Sequence, residues 1–152
     1  MKSNKTNANP IFLAAAQTYL AKNWSVIPVW ATAHVEFFKV AAIKWLRYCR
    51  QHASSDQIDH WFKFGAFQGV GIITGSISDL AVLDFDCSDK YQLFCQLFPH
   101  LTNTYTVKTP NGWHLYFHIP KTCTTRTLQK DGTDWQWEGR YVVAPPTQGY
   151  TL

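Results

Sequence analysis

The stretch VLDFDCSDK, residues 82–90, ends an apolar run in two aspartates, Asp84 and Asp86, with one phenylalanine between them. Side chains alternate along a strand, so residues two apart point the same way, and carboxylates at that spacing can grip one cation. Without a cation they repel each other and lose hydration at the end of what reads as a buried strand. The chain has only ten acidic residues, and a third, Asp134, also stands where a strand should be apolar. Carboxylates converging from neighbouring strands form the hard-oxygen site that Mg²⁺ or Mn²⁺ prefers, with positions left for water and substrate phosphates. The matching chemistry is phosphoryl or nucleotidyl transfer by two metals. The plain alternative is a polar loop after a strand, with Asp86 or Ser88 capping the next helix.

His114 weighs against that alternative. It follows the turn PNG and opens the strand WHLYFHI, in which His114, Tyr116 and His118 share one face and Trp113, Leu115 and Phe117 the other. A histidine there could contact a nucleotide triphosphate, with Lys108 on the partner strand as a helper; His118 reads as an ordinary strand histidine. The four cysteines (Cys49, Cys87, Cys95, Cys123) form no C-x-x-C pair. Cys87, Cys95, His100 and Cys123 are too irregularly spaced for a zinc site, and buried free thiols are the better reading.

The elements that must position these residues follow from periodicity. PIFLAAAQTYLAKNW has apolar residues near helical spacing behind Asn9 and Pro10, and SVIPVW reads as a strand whose Pro28 places it at an edge. A helix is expected around residues 41–51, and another after Ser54 or Ser55, ended by Gly65. GVGIITG and LAVLDFD read as a pair of central strands joined by a turn, followed by a helix over DKYQLFCQLFPHL. PNG marks a hairpin, and DWQW and YVVAPP flank EGR as a second one. The fold class is α+β, a largely antiparallel or mixed sheet flanked by helices.

At 152 residues, 46% hydrophobic and 16% aromatic, the chain has the size of one domain with a substantial core, expected over 11–152 behind a flexible leader, 1–10. No run long enough to span a membrane and no secretory signal is visible, so a cytoplasmic location without membrane association is expected. The net charge of +4 is spread along the chain and decides no partner by itself.

In this order, GVGIITGSISDLAVLDFD, VKTPNGWHLYF and DWQWEGRYVVAPP resemble the three catalytic motifs of the bifunctional DNA primase-polymerase domain of the archaeo-eukaryotic primase superfamily. YLAKNWSVIPV, K-x-x-x-x-KW and IDHWF resemble the amino-terminal part of that domain, so the likeness runs from about residue 11 to 150. The resemblance implies an RRM-like primase-polymerase catalytic core. It implies Asp84, Asp86 and Asp134 as ligands of two Mg²⁺ or Mn²⁺ ions, and Gly112-Trp113-His114 as the motif whose histidine binds the incoming nucleotide's phosphates. It places Lys39 and Lys44 in a basic segment that meets nucleotide or template. The implied activity is template-dependent nucleotidyl transfer, by a DNA primase or polymerase, from NTP or dNTP onto a DNA template or primer. A plasmid, phage or mobile element is the implied setting, and larger relatives add a helicase region. The chain departs from the pattern where an arginine and glycine often follow the third acidic residue, having Gln136 and Trp137, and Glu138 could compete with Asp134 as a ligand. Two rivals remain: a non-catalytic nucleic-acid-binding replication module, and a haloacid-dehalogenase-like phosphatase. The phosphatase would use Asp84 as its nucleophile on a parallel sheet of βα units.

Overall fold

The computed structural model describes residues 10–31, 40–65, 67–123 and 125–152. Of the expected leader only Pro10 lies among them, and it already begins helix α1, Pro10–Ala21, where a missing N–H costs nothing. Strand β1, Ser25–Val29, is an edge strand, as Pro28 requires. The Pro28 carbonyl accepts from Ala42 N (2.9 Å) on the outer side, where the absent proline N–H is not needed by a sheet neighbour.

No long helix forms around 41–51. Trp30 N donates to the Val40 carbonyl (2.9 Å), and Ala41 bridges Val29, so the backbone here is spent on the edge of β1. Only a 3-10 turn, Leu46–Cys49, follows, with Tyr48 as its buried residue. The next helix, α2, Ser55–Asp59, has the expected start: the Ser54 side chain accepts from Gln57 N while the Gln57 side chain accepts from Ser54 N, a capping box. It widens into a π-turn, His60–Phe64, that buries Trp61 and Phe62 and ends at Gly65.

The two central strands, β2 (Gly69–Ile73) and β3 (Leu80–Phe85), fall into different sheets. Helix α3 spans Ser88–Leu97, β4 Tyr105–Lys108, β5 Trp113–His118, β6 Leu128–Lys130, β7 Thr133–Gln136 and β8 Tyr141–Ala144. One sheet has the order β1-β2-β8 and the other β4-β5-β3-β7-β6, with every neighbouring pair antiparallel. The expected single sheet is therefore two. DWQW and YVVAPP do not form a hairpin either, because β7 pairs with β3 and β6 while β8 pairs with β2. EGR instead carries the chain from one sheet to the other, held by Glu138 Oε1, which accepts from Ser76 N (2.7 Å). The second hairpin is β6–β7, turning at Asp131 and Gly132 with φ of 50° and 72°. Positive φ at both positions suits a two-residue turn and explains the Asp-Gly pair.

Both β1 and β2 are buried throughout, so the three-stranded sheet is covered on both sides. Leu80, Val82, Val107 and Tyr116, from one face of the five-stranded sheet, join Val26, Ile27, Ile72 and α1 residues Phe12, Ala16 and Tyr19 in one core. Tyr19 ties α1 to the loop after β8 by donating to the Pro145 carbonyl (2.7 Å), and its ring stacks on Trp24. Burial is the main reason the Tyr19 and Tyr116 phenols stay protonated far above the ordinary tyrosine range, with neighbouring Tyr105 adding to both. The unfolded chain gives up those protons once pH passes about 10, so unfolding releases protons there and stability falls as pH rises further. Urea unfolding midpoints are expected to be flat across the neutral range with respect to these groups and to drop above about pH 10. Tyr116→Phe is expected to shrink that drop.

Candidate active site

The centre of the five-stranded sheet is β3, hydrogen-bonded to β5 on one side and β7 on the other. The register puts Asp84 directly opposite His114 on β5 and directly opposite Asp134 on β7. Directly opposite residues share a face of the sheet, so three residues from three distant segments stand in a row across it. His114 Nε2 lies 3.3 Å from Asp84 Oδ1. Asp134 Oδ2 accepts from Gln129 Nε2 (3.1 Å) on β6, which fixes that carboxylate in turn. The histidine side chain is 6% exposed and the Asp84 side chain 24%. The ring is therefore sealed in while the carboxylate reaches solvent.

Asp86 stands just past the end of β3 and is exposed; its N–H donates to the Gly132 carbonyl (2.9 Å), which seats the β6–β7 turn against it. Neither Asp86 nor Ser88 caps α3. The N-cap is Cys87, without a side-chain cap bond, so the capping alternative for this acidic pair does not hold.

A cavity of about 200 Å³ opens on this row, lined by Asp84, His114 and Gln136 from one sheet and by Tyr141, Val142, Val143 and Tyr150 from β8 and the segment after it. It is the gap between the two sheets. His114 Nδ1 is buried and has no hydrogen-bond partner among the described residues, and the Tyr116 hydroxyl two positions along is in the same state. Gln136 reaches this lining because it sits two residues from Asp134 on the same face of β7, opposite Val82. That spacing was legible as a site position. Tyr141 and Tyr150 carry no such signal, since their place depends on β8 joining the other sheet.

The remaining candidates separate by position. Lys108 pairs with Trp113 in the β4–β5 register, and Trp113 alternates with His114, so Lys108 points to the opposite face of the sheet from the histidine. Its ammonium sits 4.8 Å from the Trp113 ring centre, and Tyr91 stacks on that ring at 4.6 Å. Lys108 is thus not placed to help His114, and the Trp113 ring is already engaged by both neighbours. Trp137 is buried as a packing residue, and Trp135 leans on Phe117 and donates from Nε1 to Thr125 Oγ1 (3.1 Å). Gly112 is steric: a Cβ there would lie 1.8 Å from the Phe85 carbonyl oxygen, so only glycine lets the PNG turn rest on the end of β3. Lys44 is exposed, between Ala41, whose N–H donates to the Tyr141 hydroxyl (3.1 Å), and Trp45, whose ring meets Tyr141 edge-on. Lys39 lies outside the described residues. Glu138 is held at the turn before β3 and does not compete with Asp134. The phosphatase alternative fails on topology, because every strand pair around Asp84 is antiparallel.

The donor set at this row is carboxylate oxygen, the ligand type suited to Mg²⁺ or Mn²⁺. Among the described residues no three His, Cys, Asp or Glu side chains gather into a metal cage. Asp84 and Asp134, side by side on neighbouring strands, are the kind of donors Mg²⁺ takes, since it keeps much of its water and uses one or two carboxylates plus substrate phosphates.

Residues 16–151 match the family model described as bifunctional DNA primase/polymerase, N-terminal. No curated protein matches the chain. Among the described residues no helix is long and apolar enough to cross a membrane.

Proposed function

We propose, from the premise that this chain belongs to the bifunctional DNA primase/polymerase N-terminal family, that it adds nucleotides to a DNA primer or to a first nucleotide under the direction of a template. The single observation that carries this reading is the row His114–Asp84–Asp134 across β5, β3 and β7, opening on the cavity between the sheets. Acidic residues on a rigid sheet beside a buried histidine suit phosphoryl chemistry, because the protein's part in it is positioning and charge stabilisation. The family is one of primases and polymerases acting in DNA replication, which agrees with that chemistry.

Divalent cations, when bound, would lower the pKa of the attacking 3′-hydroxyl and neutralise charge on the departing pyrophosphate. Asp84 and Asp134 would hold such ions from the sheet face, with Asp86 joining from the end of β3. Gln129 keeps the Asp134 carboxylate turned to one orientation. His114, sealed in and facing Asp84, would hold a phosphate oxygen of the incoming nucleotide. Gln136, Tyr141 and Tyr150 would bound the space that nucleotide enters, and the two valines of β8 would keep one wall dry.

Primer extension on a defined template, with Mg²⁺ or Mn²⁺ and then with excess EDTA, tests this reading. Extension that needs the metal supports it. His114→Ala is expected to raise the nucleotide KM by about tenfold or more, the loss of one charge-assisted hydrogen bond. A steady-state nucleotide titration checks this, with thermal melting to show that the variant is folded. An unchanged KM in a folded variant removes His114 from the nucleotide site.

A further inference from the structure

Two buried polar atoms on the inward face of β5 lack a hydrogen-bond partner among the described residues: His114 Nδ1 and the Tyr116 hydroxyl. His114 is 5% exposed and Tyr116 2%, so bulk solvent reaches neither. Buried polar groups are nearly always bonded, to protein or to an ordered water. A phenylalanine at position 116 would fill the same place, stacked on Trp24 at 5.6 Å and edge-on to Tyr105 at 5.1 Å, without burying a hydroxyl. Packing alone therefore does not account for the tyrosine.

The neighbouring hydroxyls are engaged elsewhere. Tyr19 donates to the Pro145 carbonyl (2.7 Å), and its oxygen lies 3.3 Å from the Tyr105 hydroxyl, which leaves Tyr116 outside that pair. Asp84 and Tyr150 both act electrostatically on the Tyr116 phenol, and the same two residues meet His114: Asp84 Oδ1 lies 3.3 Å from Nε2, and the Tyr150 ring 6.0 Å from the imidazole. The Tyr116 and His114 rings are 6.2 Å apart, centre to centre, two positions along one strand. No direct bond joins the two orphan atoms, but one water seated between them would satisfy both.

Burial above all keeps the Tyr116 phenol protonated far above neutral pH, so it remains a donor wherever the protein works. On the histidine, Nε2 faces a carboxylate, which only accepts. A neutral imidazole with its proton on Nε2 must accept at Nδ1, and which nitrogen holds the proton is set by the bond the other one makes.

Resting on the nucleotidyl-transfer reading above, we propose that Tyr116 is a positioning residue for His114. Through one bound water its hydroxyl supplies the hydrogen bond that Nδ1 accepts, which fixes the ring and keeps its proton on Nε2, the nitrogen directed at Asp84 and at the nucleotide phosphate.

The test compares the ring nitrogen NMR signals of His114, assigned by their loss in His114→Ala, between wild type and Tyr116→Phe. Nucleotide titrations of primer extension accompany it on both proteins, on His114→Ala and on the double variant, with thermal melting to show that each is folded. Wild type is expected to show a neutral ring protonated on Nε2, and Tyr116→Phe a displaced Nδ1 signal. Tyr116→Phe is also expected to raise the nucleotide KM about threefold to tenfold with kcat near wild type, the loss of one neutral hydrogen bond. In the His114→Ala background it should add nothing, because a residue that acts through the ring has no effect once the ring is gone. A folded Tyr116→Phe protein with a wild-type Nδ1 signal or a wild-type KM overturns the proposal, as does a KM effect that persists undiminished without His114. The nitrogen signals are read without substrate, so a wild type that extends no primer overturns the functional reading while the bond to Nδ1 is still decided.

Discussion

Asp84→Ala is expected to lower nucleotide addition about a thousandfold or more while shifting the melting temperature by only a few degrees. The activity loss follows from the place of Asp84 in the row, opposite both His114 and Asp134. A metal ligand supplies several kcal/mol of transition-state charge stabilisation, and about 4 kcal/mol is already a factor of a thousand. The stability effect is a near-cancellation. Asp84 and Asp134 stand directly opposite each other on neighbouring strands, where like charges destabilise the sheet, and the substitution relieves this. It also leaves His114 Nε2 without its carboxylate beside a ring whose Nδ1 is already unpartnered among the described residues, which costs about 1–3 kcal/mol. The difference corresponds to a few degrees in a chain of this size. Extension kinetics with calorimetry on the same preparation checks both halves. Activity within tenfold of wild type would remove Asp84 from the chemistry.

Gly112→Ala is expected to destabilise the protein by about 3 kcal/mol or more and to lower its urea midpoint by about 1 M or more. The new Cβ would fall 1.8 Å from the Phe85 carbonyl oxygen and 3.0 Å from Cys87 N, both backbone atoms. No rotamer change relieves a clash of backbone with Cβ. Phe85 cannot retreat, because its strand is bonded on both sides by β5 and β7. The turn must therefore lift, which breaks the pair of bonds between Thr109 and Gly112 (2.9 Å each) and displaces His114, two residues on. Activity should fall along with stability. Gly139→Ala is the contrast: its φ is 68° but nothing lies within 4 Å of an added Cβ, so its cost is confined to the left-handed backbone, about 1–2 kcal/mol. Equal midpoints for the two variants would contradict the steric account.

The site residues and the face each one takes were readable one by one, because they depend on local rules. Alternation along a strand puts Asp84 on a defined face, the PNG turn sets the start of β5 and so the face of His114, and Asp134 interrupts an apolar strand. Pairing between distant strands was not readable. Nothing local in GVGIITG says that it joins β1 and β8 while LAVLDFD joins β5 and β7, because both runs are apolar and β-branched enough to be central in either sheet. EGR carried a turn signal, but a turn signal does not name the partner of the strand that follows it. The Asp131–Gly132 turn was legible and was passed over. So was the orientation of Lys108, since counting back from His114 across the β4–β5 hairpin pairs Lys108 with Trp113. The helix expected near residue 46 failed for a tertiary reason: the chain there completes the edge of β1 and supports Tyr141, and those contacts outweigh helical periodicity.

The most direct test is to supply wild-type protein with Mg²⁺ or Mn²⁺, a labelled primer and four templates that differ only in the first templating base, offering one nucleotide at a time. Incorporation of the complementary nucleotide on each template, lost on adding EDTA, is the result this account predicts. Protein that binds all four primer–templates but adds no nucleotide with either metal would contradict it, leaving a nucleic-acid-binding module with the family's fold.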